Sequence, residues 1–274
     1  MGDPVSGELA DLRVGTSGFS YRDGVGPFYP PGTQPRRMLE LYTDRFDCVE
    51  LNSTYYAIPS AAAMASLAAR TGAGFLFTVK LPGSVTHQGQ LDNLPHFLAA
   101  MAPLLECGRL AAFVAQFPGA VKNTQANRER VLRSCAPALA KAPVVVEFRH
   151  DSWCEPAVFG MLEEHGLAWC SVDEPGLPGL MPRELIILSG LAYLRFHSRD
   201  GERWWADGGK ERYNYLYARE ELEEWVPKIG RARIEAGQVF VFFNNCHAGH
   251  AARNARELLS LLGAAPPSGQ GLLF

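Results

Sequence analysis

The sequence lacks any long apolar run and any large excess of one charge. No stretch approaches the roughly 20 apolar residues of a membrane-spanning helix, so no membrane contact is expected. The 274 residues include 26 Lys and Arg against 29 Asp and Glu, a formal net charge of −3. This near balance argues against a protein that binds nucleic acid over its whole surface, although a local basic cleft remains compatible with it. With 47% hydrophobic residues, the chain can form a large core.

Paired cysteines are also missing. The six cysteines are scattered, and neither a Cys-x-x-Cys nor a His-Glu-x-x-His spacing occurs. Residues 1–11 have no basic start and no apolar segment of signal-peptide length. Reduced thiols and a cytoplasmic location are therefore expected, because disulfide frameworks belong mainly to short secreted chains.

The glycine fingerprints of nucleotide-binding folds are absent as well. The segment 14–18 (VGTSG) fits neither G-x-G-x-x-G nor a Walker loop. Instead, eight short apolar segments recur along the chain. Several are continuously apolar, which is typical of strands buried on both faces. The predicted strands cover residues 12–16, 48–52, 75–80, 112–117, 144–148, 168–172, 192–197 and 239–244.

Helical patterns separate these strands. The predicted helices cover residues 35–45, 61–69, 95–106, 125–140, 156–165, 219–236 and 250–262, with a weak candidate of a turn or two at 182–187. Alternating strands and helices imply a parallel sheet, and eight such units at this length favour a closed barrel over an open sheet. We predict a TIM-type (β/α)₈ barrel over about residues 11–262, in a single domain of residues 1–274 with short terminal extensions.

Polar side chains gather where the predicted strands end, which in such a barrel is the mouth that carries active sites. A period of two places Glu147 and Arg149 on one inward face, and Arg195 and His197 on another. The predicted catalytic residues are Glu50, Lys80, Glu147 and His197. The predicted substrate-binding residues are Asn52, His87, Gln116, Arg149, Asp173, Arg195, Trp204, Asn244 and Asn245.

The charges at the mouth indicate the kind of substrate. Arginines suit bidentate capture of carboxylate or phosphate, and crowded cations would lower the pKa of Lys80 toward acid/base or Schiff-base chemistry. The first hypothesis is an enzyme that acts on a small anionic, phosphorylated or sugar-like compound without a cofactor. Two alternatives stay open. One is a metal-dependent phosphodiesterase or nuclease-like barrel that holds a divalent ion and nucleic acid, and the other is a non-catalytic ligand-binding barrel.

Structural roles compete with several of these assignments. Glu147 and Arg195 are also compatible with a buried ion pair that only stiffens the barrel. Residues 246–250 (CHAGH) look like a ligand cluster, but we favour a strand-to-helix turn for them. The loop 198–214, rich in Arg, Trp and Tyr, fits either a flap over a helix or a binding loop that stacks on a sugar or base.

Taken in order, the strand-end segments resemble a known family. They are 14–21 (VGTSGFSY), 28–30 (FYP), 46–56 (FDCVELNSTYY), 77–80 (FTVK), 86–87 (TH), 147–150 (EFRH), Trp153, 193–197 (YLRFH), 243–245 (FNN) and 254–255 (NA). This pattern is similar to the YecE-like family, domain of unknown function 72, over about residues 13–262. The resemblance implies a TIM-type barrel and brings no assigned reaction. Phe19 stands where the opening motif is expected to have a tryptophan, a conservative aromatic change.

Overall fold

Strands and helices alternate through the part of the chain that the computed structural model describes, residues 9–206 and 211–264. Much of both terminal extensions and residues 207–210 of the predicted loop lie outside it. The strands are β1 (Asp11–Thr16), β2 (Cys48–Leu51), β3 (Leu76–Lys80), β4 (Leu110–Gln116), β5 (Val144–Glu147), β6 (Ala168–Asp173), β7 (Ile187–Leu188), β8 (Leu191–Phe196) and β9 (Gln238–Phe243). The helices are α1 (Pro35–Thr43), α2 (Ala61–Ala69), α3 (Gly83–Thr86), α4 (Leu94–Ala100), α5 (Ala102–Glu106), α6 (Gln125–Leu139), α7 (Pro156–Glu164), α8 (Arg219–Glu223), α9 (Val226–Glu235) and α10 (His250–Leu261).

Eight of the strands form the wall of a barrel. They pair in parallel in the order β1-β9-β8-β6-β5-β4-β3-β2, and the short β7 pairs with β8 in the antiparallel sense. Each of the eight matches a predicted strand to within two residues at either end. The predicted TIM-type (β/α)₈ barrel is therefore confirmed.

Little backbone pairing joins β1 and β2, where the barrel closes, and we call such a boundary a thin seam. One isolated bridge, between Ser17 and Glu50, joins the two strands in place of a ladder. The hydroxyl of Tyr42 occupies the gap beside it. It donates to the Cys48 carbonyl and accepts from the Thr16 amide, each at 3.0 Å. A side-chain hydroxyl thus satisfies backbone groups that would otherwise be buried without partners.

Close approach at this β1/β2 seam depends on a glycine. A Cβ at Gly15 would lie 2.5 Å from the Cys48 carbonyl oxygen, far inside van der Waals contact. Toward the other end of the barrel, Arg13 reaches Asp47 with a nitrogen–oxygen distance of 2.8 Å. Side-chain contacts of Tyr42 and of the Arg13–Asp47 pair therefore hold the seam at two levels, and Gly15 allows the two strands to approach each other closely.

A second thin seam lies opposite the first, between β5 and β6. Two residue pairs join these strands, Val145 with Ala168 and Val146 with Trp169. The two seams divide the wall into a first half, β2 to β5, and a second half made of β6, β8, β9 and β1. Each half has four strands. Because few residue pairs join the halves at the two seams, contacts across the barrel interior also connect them.

Alternate residues of the strands face the interior and the surrounding helices. Phe148 lies on the outer side, stacked on Trp153 with 4.1 Å between ring centroids. Phe196 also points outward and packs against Trp225 at 5.6 Å. The intervening polar residues lie inside, as the period of two predicts.

Prolines divide two predicted helices. The helix predicted at 95–106 is α4 followed by α5, with Pro103 in the first turn of α5, and that at 219–236 is α8 followed by α9, with Pro227 in the first turn of α9. Proline lacks the amide hydrogen that would continue the preceding helix, so the chain restarts at each. The weak helix predicted at 182–187 is wrong. The Ile186 amide donates to Ser171 Oγ at 2.9 Å, and the chain enters β7.

Three smaller predictions concern cysteines, membranes and the segment 246–250. All six cysteines are free thiols. Within the described residues, no helix combines the length and apolarity needed to cross a bilayer. His247–Gly249 form a 3₁₀ turn directly before α10, which confirms the strand-to-helix turn.

Candidate functional site

An open cavity of about 490 Å³ lies at the C-terminal ends of the barrel strands. Its lining comes from both halves of the wall and from the loops that follow β1, β2 and β8. The lining residues are Gly18, Phe19, Ser20, Tyr21, Leu51, Asn52, Ser53, Tyr55, Tyr56, Lys80, Arg149, Arg195, Tyr213, Asn244 and Cys246.

Six charged side chains form what we term the inner charge cluster at the base of this cavity. Its members are Lys80, Arg149, Arg195, Glu50, Glu147 and Glu174.

Arg195 holds two carboxylates from the first half of the barrel. It donates from Nη2 to Glu50 Oε1 at 2.6 Å and from Nη1 to Glu147 Oε2. The Tyr193 hydroxyl donates to the second oxygen of Glu50 at 2.8 Å. All four side chains are buried, and Arg195 is the one among them that lines the floor of the cavity.

Arg149 connects Glu147 to a third carboxylate, Glu174. It pairs with Glu147 and donates to Glu174 Oε1 at 2.9 Å. Burial alone would raise the pKa of Glu147, but the charges of Arg149 and Arg195 outweigh it and hold that pKa well below its usual value. Glu174 behaves differently, since burial raises its pKa to about 7 against the opposing effect of Arg149. Glu147 is therefore ionised, whereas Glu174 titrates near neutrality.

Lys80 is the cation with the fewest partners in the inner charge cluster. Its ammonium group donates to Gln116 Oε1 at 2.9 Å and lies 4.5 Å from the centroid of the Tyr55 ring. Burial and the charge of Arg195 lower the pKa of Lys80 to about 8, although Glu147 opposes part of that shift. An amine with this pKa can gain or lose a proton near neutral pH.

His197 links the cluster to the amide side chains of the cavity. The Asn244 amide lies 3.1 Å from His197 Nδ1, and Nε2 lies 3.3 Å from Glu147 Oε1. Burial and the charge of Arg149 hold the pKa of His197 well below its usual value. Arg149 Nη2 also lies 3.1 Å from Nε2, so this ring nitrogen faces both the guanidinium and Glu147. Asn52 extends the chain with a long contact of 3.5 Å to Asn244.

Tyrosines form much of the cavity wall. Tyr21 follows β1, Tyr55 and Tyr56 follow β2, and Tyr213 belongs to the loop after β8. Tyr56 is 84% exposed, unusual for a large aromatic residue. Aromatic faces at a polar cavity suit ring-shaped ligands.

The predicted site residues fall into groups. Asn52, Lys80, Arg149, Arg195 and Asn244 line the cavity. Glu50, Glu147 and His197 lie buried next to those lining residues, and Gln116 holds the Lys80 ammonium. His87 lies behind Tyr55 in a neighbouring depression, with its ring 5.0 Å from the Tyr55 ring.

Asp173, which the sequence predicts to bind substrate, is not part of the cavity lining. It points outward from β6, where Arg199 donates to it at 2.7 Å, the Tyr217 hydroxyl at 2.9 Å and the Trp225 indole at 2.7 Å. Asp173 thus anchors the start of the 198–214 loop and the α8–α9 region to the barrel.

Asn245 and Trp204, two further predicted substrate-binding residues, also lie apart from the mouth cavity. Asn245 faces outward from the end of β9 and donates to the Tyr215 carbonyl at 2.8 Å and to Asn254 Oδ1 at 3.0 Å. Trp204 is buried within its own loop, where the guanidinium of Arg212 lies 4.9 Å from its ring. Neither side chain is part of the cavity lining.

Glu174 is the residue that sequence reasoning missed. It shares the inward parity of Cys170, whose Sγ lies 4.0 Å from Glu147 Oε2. Applying the period of two through the end of β6 would have selected Glu174 over Asp173. The tyrosines had no comparable pattern, because turns after the strands place them.

A metal centre would have to compete for ligands at this site. Among the described residues, no three His, Cys, Asp or Glu side chains converge as a metal site would require. Glu50 and Glu147 already accept hydrogen bonds from Arg195. The donor set therefore does not fit the divalent ion of the phosphodiesterase hypothesis.

Fold and site together define a class: a (β/α)₈ barrel whose mouth holds a tyrosine-walled cavity above a buried network of arginines and carboxylates. Comparison with known proteins places the chain within a family. Residues 13–270 match the family model described as "Protein of unknown function DUF72", and the chain belongs to that family.

Relatives and solved structures agree with this assignment. The chain is 31% identical to the UPF0759 protein YunF of Bacillus subtilis over 270 residues, which cover 92% of this chain and 94% of YunF. A crystal structure of a DUF72 family protein from Thermotoga maritima superposes with a TM-score of 0.84 at 38% identity, covering 92% of this chain and 99% of that one. Another, from Enterococcus faecalis, gives 0.83 at 26% identity, covering 96% and 99%.

Proposed function

We propose that this protein is an enzyme that binds a small anionic compound in the mouth cavity and uses Lys80 as its acid/base group. The observation that carries the proposal is the setting of the Lys80 ammonium. It faces an open cavity and has a pKa of about 8, and Gln116 is its one hydrogen-bond acceptor among residues 9–206 and 211–264. Most structural lysines are exposed and keep their ordinary pKa, whereas groups poised near neutrality are typical of catalysis.

The charge balance of the inner charge cluster supports an anionic ligand. Three cations face three carboxylates, and the pKa of Glu174 is about 7. At neutral pH Glu174 is therefore only partly ionised, and the cluster keeps a positive excess beneath the cavity. A phosphate or carboxylate above Lys80, Arg149 and Arg195 would neutralise that excess.

The carboxylates serve a different purpose in this proposal than in the hypothesis from sequence. Glu50 and Glu147 are saturated by Arg195, Arg149 and Tyr193, so we assign them to positioning the arginines. A group buried under such donors is a poor proton shuttle to a substrate in the cavity. Proton transfer is left to Lys80.

Titration with inorganic phosphate tests the anion site directly. We expect wild-type protein to bind phosphate by calorimetry, Lys80→Met to lose at least 10-fold in affinity, and Lys80→Arg to keep most of it. Because the anion favours protonated Lys80, wild-type affinity should fall as the pH rises through about 8. Lys141→Met, at an exposed position after α6, is the matched control and should bind like wild type.

The proposal fails if neither phosphate nor simple carboxylates bind, or if Lys80→Met binds them as well as wild type does. Turnover is tested separately by screening phosphorylated and carboxylated metabolites for product. Binding that depends on Lys80 with no product formed from any of them would identify a ligand-binding barrel instead of an enzyme.

A further inference from the structure

A second depression, of about 540 Å³, lies beside the mouth cavity on the side of α3. We call it the outer depression. Its polar lining comes from the loop after β2 and from the segment between β3 and α4. The residues used below are Tyr55, Tyr56, Ser84, His87, Gln88 and Asn93.

Tyr55 and Tyr56 belong to both spaces and form the partition between them. One side of the Tyr55 ring carries Lys80 at 4.5 Å, and the His87 ring packs edge-on against it at 5.0 Å. Gly83 supports this arrangement from below, since a Cβ there would lie 2.8 Å from the Tyr55 ring. The partition is therefore held in place, and the two spaces have a fixed relation to each other.

Tyr56 lies on the rim of the partition and is almost completely exposed. It touches the Tyr55 ring edge-to-face, with 4.9 Å between centroids. This leaves much of the Tyr56 ring open to solvent, where it can stack on a ligand that bridges the two spaces.

The outer depression differs from the mouth cavity in charge. Its lining, as far as the described residues form it, contains no Asp, Glu, Lys or Arg. Its imidazole, His87, is neutral at pH 7, because burial and the charge of Lys80 lower the pKa of His87 to about 4. Thr86 Oγ1 lies 3.0 Å from His87 Nδ1. Hydroxyl, amide and neutral imidazole groups that surround an aromatic ring match the hydroxyls and ring face of a sugar.

We propose that the outer depression is a subsite for the neutral, polyhydroxylated part of the substrate, whose anionic group occupies the mouth cavity. The substrate class is then a sugar monophosphate or a comparable sugar acid, with the sugar ring stacked on Tyr56 and its hydroxyls bound by Gln88 and Asn93. The inference rests on the proposed function, since the anion site orients the ligand. A second strongly anionic group would find no cation in the lining of this subsite.

Binding of sugar phosphates is compared with binding of inorganic phosphate in the same full-length protein. The probes are glucose 6-phosphate, glucose 1-phosphate and ribose 5-phosphate. We expect at least one of them to bind 10-fold or more tightly than phosphate. Tyr56→Ala and Gln88→Ala should each reduce that advantage by 5-fold or more. Gln88 lies outside the mouth-cavity lining, so Gln88→Ala should leave phosphate affinity within 2-fold of wild type. Tyr56→Phe keeps the ring and should retain the advantage.

Gln90→Ala is the matched control, because Gln90 is an exposed glutamine two residues from Gln88 and outside both linings. The inference is overturned, and the anion site kept, if phosphate binding depends on Lys80 but no sugar phosphate binds more tightly than phosphate. It is equally overturned if Tyr56→Ala and Gln88→Ala match Gln90→Ala. Absence of binding by every anion would overturn the proposed function itself.

Discussion

Single residues at the mouth show how burial and pairing decide a group's chemistry. Lys80 and Arg195 are both cations of the inner charge cluster, but Arg195 donates to two carboxylates, whereas among the described residues Lys80 donates to one neutral amide oxygen. Two acids diverge in the same way, since Glu147 meets two arginines and Glu174 meets one. The pKa values of such groups separate because each charge is stabilised only by the partners that reach it.

The titration of Glu174 makes a prediction about stability. Because burial raises its folded-state pKa from 4.5 to about 7, the protonated form stabilises the fold below pH 4.5, and this contribution is lost as the pH rises through 7. Glu174→Gln mimics the protonated form. Its stability relative to wild type should therefore increase between pH 4.5 and 7, by up to about 3 kcal/mol, in urea unfolding.

Glu164→Gln is the control for this measurement, because Glu164 is an exposed acid at the end of α7. Its stability difference from wild type should be small and nearly constant with pH. A flat profile for Glu174→Gln as well would show that Glu174 does not titrate in this range.

The sequence predicted the inner face of the site well at this scale and failed where a strand ended. Alternation correctly grouped Glu147 with Arg149 and Arg195 with His197. Asp173 and Asn245 were chosen because they were polar and followed strands, although each lies on the outward parity. Their hydrogen-bond partners, such as Arg199 and Asn254, belong to other segments of the chain. No local sequence pattern shows that these segments pack beside Asp173 and Asn245.

Among the elements, β1 and β2 show how a barrel can close without a full ladder. The Tyr42 hydroxyl bridges Cys48 and Thr16, and Gly15 permits the close approach. The sequence predicted both strands to within one residue. It could not predict the seam, since that depends on how α1 places Tyr42 in three dimensions.

Gly15→Ala tests the seam. The added methyl group would lie 2.5 Å from a backbone oxygen, so β1 and β2 must separate. We expect a loss of about 1–3 kcal/mol in the free energy of unfolding, the usual cost of overpacking, measured by urea denaturation. Gly72→Ala has nothing within 4 Å of the new methyl group and should be close to neutral. Equal stability of the two variants would contradict the role given to the seam.

Viewed as a whole, the molecule is two four-strand halves joined by thin seams and by contacts through the interior. The contacts of Arg195 with Glu50 and Glu147 cross from the second half to the first, and so does the 2.8 Å hydrogen bond between Tyr193 and Thr78. Eight alternating units predicted the barrel correctly. Its division into halves follows from the number of paired residues at each seam, which no composition or spacing shows.

Hydrogen exchange can measure the strength of these cross-barrel contacts. Arg195→Lys keeps the positive charge but loses the fork that holds two carboxylates at once. We expect faster deuterium uptake in peptides next to the seams, covering Cys48–Leu51, Val144–Glu147 and Ala168–Asp173. Uptake in α2, which packs mainly against α4 and α5, should match wild type. Uniform acceleration over the whole chain would indicate a general loss of stability instead.

The division into halves has a mechanical consequence for the mouth cavity. A wall that is weak along two opposite lines resists sliding of its halves mainly through the groups that span the interior. Arg195 is one of those groups, and it also lies on the surface of the cavity. A ligand in the cavity would lie between Lys80 and Asn52 of one half and Arg195 and Asn244 of the other. It would add a second connection between the halves, so ligand binding should make the whole barrel more resistant to shear.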